Sequence, residues 1–229
     1  MRNNPVYLFD IDGTLLTKSI SGPTIKQQAF ARVMEGVCGI PDVDYMQFPI
    51  HGATDPGIPR LVLRHFGWTD EAIEGVMPEF FERYMGYFEE LDTAERVSEY
   101  VILPGVLEFL DRVKDGVLGL ATGNMERFAW YKLRAVGIDG YFSFGGFGDD
   151  GVERERIVEA AVRKAGVADA SEAIVFGDTP RDIEAAQAVG CRVCAVATGH
   201  FGVSELLSYC RPCDRVIPDF GSIREDDLR

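Results

Sequence analysis

The sequence predicts an α/β fold: a parallel sheet with helices on both faces, interrupted early by an α-helical insert. Three observations carry this. Short apolar runs at Pro5–Asp10, Val117–Thr122, Ala173–Asp178 and Cys191–Ala197 are continuous rather than alternating, as in strands buried on both faces. From about residue 102 onward such runs alternate with helical patterns, which is how parallel βαβ units read. Between the first run and this alternation, residues from about 16 to 100 read as helical. The expected organisation is a core of residues 1–15 and 102–229 and an α-helical domain over 16–101.

After the first strand, Leu15 to about Gly22 reads as irregular. Pro23 suits the first turn of a helix in which Ile25, Ala29, Val33 and Val37 recur at four-residue steps. A loop-rich stretch, Pro41–Pro59, contains His51-Gly-Ala-Thr54-Asp55. Helices are expected near Ile58–Phe66 and over Asp70–Leu91, the latter with Ile73, Met77, Phe80, Phe81, Tyr84, Phe88 and Leu91 on its apolar side. Pro104-Gly105 then precedes a helix at Val106–Val113. Helices at Met125–Val136, Arg154–Ala165 and Asp182–Val189 each stop at a glycine, which accepts the left-handed conformation that closes a helix. A short strand at Tyr141–Phe144, a short helix at Ser204–Leu207 and a last strand at Arg215–Ile217 complete the pattern.

The 229 residues can bury a substantial core. Lys+Arg number 23 against 37 Asp+Glu, a formal charge of −14. That argues against nucleic acid or an anionic membrane as the main partner, because both need a basic face. A small phosphorylated substrate remains compatible if a metal and a few local cations reverse the field at the site. No early stretch resembles a signal peptide and no apolar run reaches membrane-spanning length, so a cytoplasmic protein is expected. Oligomeric state is not legible. Cys191-Arg-Val-Cys194 and Cys210-Arg-Pro-Cys213 have the spacing of a zinc site. Cys191 and Cys194 lie on an expected strand, however, where positions three apart point to opposite faces, so packed thiols are the expectation.

The chemistry gathers at strand ends. Three buried runs finish in Asp10, Thr122 and Asp178, and in a parallel sheet those ends share one edge, outside which ligands bind. Carboxylates brought together there repel unless a cation lies between them. Asp10 and Asp12 are i and i+2, so in extended geometry both point the same way. One can attack phosphorus and the other can handle the proton of the leaving oxygen. Gly13 permits close backbone approach. Mg²⁺ takes oxygen ligands and keeps several waters, so Asp10, Asp178 and a backbone carbonyl near Asp12 suffice, with Asp182 as a further ligand or as an orienter of its waters. Thr122, Gly123 and Asn124 offer a hydroxyl and N–H groups to phosphate oxygens. Arg154 and Arg156 start a helix but point in different directions. At most one of them can be the phosphate-binding cation, Arg154, nearer the apolar face, being favoured over Arg156.

Asp10-x-Asp12-Gly13-Thr14, Thr122, a basic residue before a helix, and Gly177-Asp178-x-x-x-Asp182, in this order, resemble the haloacid dehalogenase-like hydrolase superfamily over nearly the whole chain. The 16–101 insert resembles the helical cap of its phosphoglycolate phosphatase and β-phosphoglucomutase branch. The resemblance implies a Rossmann-like core, Asp10 as nucleophile, Asp12 as general acid/base, Thr122 as phosphate binder, and Mg²⁺ on Asp10, the Asp12 carbonyl and Asp178, with Asp182 at the last acidic position. The superfamily usually has Lys at the basic position, and here Glu153-Arg154-Glu155-Arg156 occupies it. The expected activity is Mg²⁺-dependent hydrolysis of a small phosphorylated metabolite through an aspartyl phosphate. The alternatives are a sugar phosphomutase and a non-enzymatic phosphate-binding module. One of His51, Thr54 and Asp55 reaches the leaving group, or Thr54 or Asp55 simply caps the helix that follows.

Overall fold

The computed structural model describes residues 5–93 and 98–228. The strands are β1 (Val6–Phe9), β2 (Leu16–Lys18), β3 (Tyr100–Ile102), β4 (Val117–Ala121), β5 (Gly145–Gly146), β6 (Ala173–Gly177), β7 (Arg192–Val196) and β8 (Arg215–Ile217). The α-helices are α1 (Ile25–Cys38), α2 (Gly57–His65), α3 (Asp70–Leu91), α4 (Val106–Val113), α5 (Glu126–Ala135), α6 (Arg154–Ala165), α7 (Pro180–Val189) and α8 (Val203–Leu207). Six strands form one parallel sheet in the order β5-β4-β1-β6-β7-β8. Its two faces are both covered, so the fold is the α/β class that the apolar runs predict.

Alternation along β1 divides the core. Tyr7 and Phe9 point to one face, packing with Phe109, Phe176 and Phe220. Val6 and Leu8 point to the other, with Val158, Val175 and Ile183. Phe9 lies in register with Phe176 of the adjacent strand and stacks on it at 4.9 Å between ring centroids. Such rings bury large apolar areas and dominate the energetics of the core.

The chain divides into a larger unit, Met1–Lys18, His51–Pro56 and Tyr100–Arg229, and a smaller one, Ser19–Ile50 and Gly57–Glu99. The smaller unit is helical. Ile25, Ala29, Phe30, Val33 and Met34 of α1 and Ile73, Met77, Phe80, Tyr84 and Phe88 of α3 supply its buried stripes at helical spacing. Phe30 meets Phe80 edge-on at 5.6 Å, and the Tyr84 hydroxyl donates to the Lys26 carbonyl at 3.2 Å. Thr24 caps α1 in a capping box with Gln27, and the buried Glu99 carboxylate accepts from the Ile25 N–H at 3.0 Å.

Three local expectations differ from this. Leu16–Lys18 is not irregular: it pairs antiparallel with Tyr100–Ile102, so the 16–100 stretch is not wholly helical. The expected strand at Tyr141–Phe144 lies instead at Gly145–Gly146, preceded by a 3-10 turn at Asp139–Tyr141. Gly146 is needed there because a Cβ would run into the Ile157 carbonyl, so α6 packs its backbone onto the strand. Finally, the 51–56 loop groups with the larger unit rather than with the helices that flank it, and 94–97 of the expected insert lies outside the described residues. Among the described residues no helix is long and apolar enough to cross a membrane.

Candidate active site

Strands β4, β1 and β6 are neighbours, so their carboxyl ends bring Thr122, Asp10 and Asp178 side by side. The turn after β1 is tight: the Leu15 and Leu16 N–H groups both donate to the Ile11 carbonyl at 2.9 Å, and Gly13 N–H donates to Leu16 O at 2.8 Å. Gly13 holds φ at +80°, where a side chain is strained. A Cβ on Gly13 or on Gly199 would overlap the Asp178 carboxylate, so two glycines make the room in which that group sits. The Thr14 hydroxyl donates to Asp178 Oδ1 at 3.4 Å, and the Thr198 hydroxyl to the Gly13 carbonyl at 2.6 Å.

Asp10, Asp178 and Asp182 are all buried, and each presents an oxygen within 4.8 Å of the others. Asp182 is pinned from two sides. Its Oδ2 accepts from the Thr179 hydroxyl at 2.7 Å and the Thr179 N–H at 3.1 Å, which caps α7. Its Oδ1 accepts from Arg154 Nε at 2.7 Å and from the adjoining guanidinium nitrogen. That nitrogen also lies 3.2 Å from Asp10 Oδ1. Arg154 therefore faces the cluster, whereas Arg156 is on the exposed side of α6 with Glu159 at 2.9 Å.

Burial pushes the Asp10 carboxyl up to about 6, against the pull of Arg154. Burial, then the Asp182 and Asp10 carboxylates, push Asp178 up to about 9. Arg154 is disfavoured as a cation by burial, but Asp182 and Asp10 outweigh this and raise its pKa. Burial is the main cause for both carboxyl groups, and the crowding of neighbouring carboxylates adds to it.

Thr122 is fully buried and its hydroxyl accepts from Asn124 Nδ2 at 2.9 Å. Gly123 has no room for a Cβ beside Arg154 and Ala53. Asp12 stands beyond the buried trio with its side chain 49% exposed. Its Oδ2 accepts from Asn124 Nδ2 at 2.8 Å and from Lys132 Nζ at 2.5 Å. Lys132 is the site residue that sequence reasoning missed. It lies on α5, four residues after Phe128 and three after Ala129, both buried, so it sits on the apolar stripe of its helix. A lysine on a buried stripe was the available signal.

The 51–56 loop lies against the same edge. Asp55 N–H donates to the Gly123 carbonyl at 2.7 Å, and Asp55 Oδ2 accepts from the Met125 N–H at 2.9 Å, at the start of α5. The Thr54 hydroxyl donates to Val152 O at 3.1 Å. His51 stacks on His200 with centroids 4.1 Å apart and rings 8° from parallel. Cys191 and Cys194 are buried in or beside β7, and burial raises both thiols.

A divalent cation suits the acidic pocket. With all four carboxyl groups ionised, Asp10, Asp12, Asp178 and Asp182 face two cations, Arg154 and Lys132, a formal surplus of two negative charges that a divalent cation would match. The donors are all oxygen, as Mg²⁺ prefers.

A phosphoglycolate phosphatase from Chromobacterium violaceum is 28% identical to this chain over 202 residues, covering 86% of this chain and 87% of the relative. Another, from Pseudomonas savastanoi, is 27% identical over 208 residues, covering 85% and 70%. The crystal structure of a hydrolase from Pseudomonas syringae has the same fold, with a TM-score of 0.67 at 22% identity over 95% of both chains. The haloacid dehalogenase-like hydrolase family profile matches residues 5–190, a span that holds β1, the Asp10–Thr14 turn, Thr122, Arg154, Asp178 and Asp182. The chain therefore belongs to the haloacid dehalogenase-like hydrolase family.

Proposed function

We propose that this hydrolase cleaves a small phosphate monoester, with Asp10 as the nucleophile and Mg²⁺ as the metal. The observation that carries the reading is the Asp10 carboxylate at the end of the central strand, beside Arg154, Thr122 and the glycine-walled Asp178. Asp10 and Asp178 would hold the ion, with the Asp12 carbonyl as a third protein ligand. Asp182 acts behind them, since both its oxygens are already engaged by Arg154 and Thr179. When bound, the ion supplies charge neutralisation at the phosphoryl oxygens and relieves the carboxylate repulsion.

The chain's own residues do the rest. Arg154, the Thr122 hydroxyl and the N–H groups after β4 bind and orient the phosphoryl group. A carboxylate oxygen of Asp10 forms a bond to phosphorus as the ester oxygen leaves, and Asp12 gives that oxygen a proton. Water then takes the phosphoryl group from Asp10 and returns a proton to Asp12. The two matched relatives are phosphoglycolate phosphatases, which makes phosphoglycolate the first substrate to try.

The test is phosphate release from p-nitrophenyl phosphate and from a panel of phosphorylated metabolites that includes phosphoglycolate. Release should stop with EDTA and with Asp10→Asn. Normal turnover by Asp10→Asn refutes the nucleophile assignment. A sugar phosphate isomerised without net phosphate release would move the reading to a mutase.

A further inference from the structure

We propose that Lys132 is a positioning residue: with Asn124 it fixes Asp12 through Oδ2, holding the carboxyl group where it exchanges a proton with the ester oxygen and with water. The inference rests on the phosphatase reading above and adds a residue to it.

The geometry is a closed triangle. Lys132 Nζ lies 2.5 Å from Asp12 Oδ2 and 2.7 Å from Asn124 Oδ1, while Asn124 Nδ2 lies 2.8 Å from the same Asp12 oxygen. A lysine ammonium only donates, so its contact with Asn124 must be to the amide oxygen. That sets the amide, whose nitrogen then reaches both Asp12 and the Thr122 hydroxyl. The lysine thus ties the proton-handling carboxylate to the threonine beside the nucleophile.

The lysine is buried yet compensated. Its side chain is 4% exposed, and its ammonium lies 5.3 Å from the Tyr100 ring centroid. Burial opposes its charge, but its neighbours, Asp12 foremost, outweigh that and raise its pKa. Methionine would fill the same stripe of α5 but could not order Asp12. What the ammonium adds at this position is a rigid hold on that carboxylate. Proton transfer falls steeply when the acid is displaced from its line of approach, and an aspartate in a loop otherwise samples several rotamers.

The experiment compares kcat/KM on p-nitrophenyl phosphate, whose leaving group departs as a stable anion, with the best alkyl phosphate of the panel, whose leaving oxygen needs a proton. In this double displacement kcat/KM reports the first half-reaction, in which the Asp10–phosphorus bond forms and the ester bond breaks. Lys132→Met should lower the alkyl value about 100-fold and the p-nitrophenyl value less than about fivefold, the range expected when general acid help is lost. Asn124→Ala, which removes the other hold on Oδ2 and strands no buried cation, should shift the same ratio in the same direction. In an Asp12→Asn background, Lys132→Met should cost the alkyl reaction nothing more. Equal losses on both substrates, or none, overturn the positioning role and leave the phosphatase reading intact. No phosphate release by the wild type from any ester overturns both.

Discussion

Replacing Arg154 by methionine removes the only guanidinium that bridges Asp10 and Asp182 among the described residues, and keeps most of the apolar stem. The side chains of Arg154, Asp10 and Asp182 are 8%, 7% and 3% exposed, so solvent screens this cluster little. Removing one partner of a buried ion pair typically costs about 3–5 kcal/mol, because the other charge stays buried and uncompensated. For a chain of this size each kcal/mol lowers Tm by about 2–4 °C, giving a fall of about 6–20 °C. The loss should depend on pH. Without Arg154 the carboxyl groups of Asp10 and Asp178 hold their protons more tightly, so the folded variant binds more protons than the wild type. Acidification then stabilises the variant more, and the gap narrows from pH 8 to pH 6. Thermal unfolding followed by circular dichroism in EDTA at both pH values measures this. A fall under 2 °C at pH 8 would refute the argument, as would a gap of equal size at both.

Three further outcomes are expected. Gly199→Ala should weaken Mg²⁺ binding at least tenfold in calorimetry, because its Cβ displaces the Asp178 carboxylate; unchanged affinity would count against the glycine-walled site. In metal-free protein the raised carboxyl groups hold protons that the unfolded chain has lost, from the ordinary value of 3.8 up to about 6 for Asp10 and about 9 for Asp178. Stability should therefore fall as pH rises from 6 to 9 in EDTA, adding Mg²⁺ at pH 8 should release protons in a weakly buffered solution, and a rise in Tm over that window would contradict the assignment. Burial and the neighbouring His200 lower the pKa of His51, so its ring should titrate below the ordinary histidine value by NMR and move back towards it in His200→Ala.

Much of this was legible because it follows from local pattern. The strands ending in Asp10, Thr122 and Asp178 announce themselves as unbroken apolar runs, and α3 shows its buried stripe from Ile73 to Phe88. What was not legible depends on distant partners. Leu16–Lys18 is too short to read as a strand, and its pairing is with residues more than eighty positions away. Gly145–Gly146 has no side chains to show a period; it is a strand through its pairing with Leu120 and Ala121, and the close approach of α6 excludes a side chain at Gly146. The 51–56 loop takes its place from bonds to Gly123, Met125 and Val152, none of which its own residues reveal. Lys132 stood in plain view as a charge on an apolar stripe, but only the fold shows that Asp12 lies opposite it.

The position of β1 sets an order on synthesis. It is the third strand of the sheet and its hydrogen-bonding edges go to β4 and β6, so Phe9 waits about 170 residues for Phe176. At roughly 5–20 residues per second, a ribosome needs about 8–35 seconds to deliver that partner. Even after β4 has covered one edge, the β6 edge of these four apolar residues stays open until then, the condition in which strands recruit the wrong neighbours. The helices of the smaller unit emerge in the meantime, and their contacts are closer in sequence, so they can fold while β1 waits. Nascent chains stalled before β6 should bind chaperones through Val6–Phe9, and those stalled beyond β7 should let go.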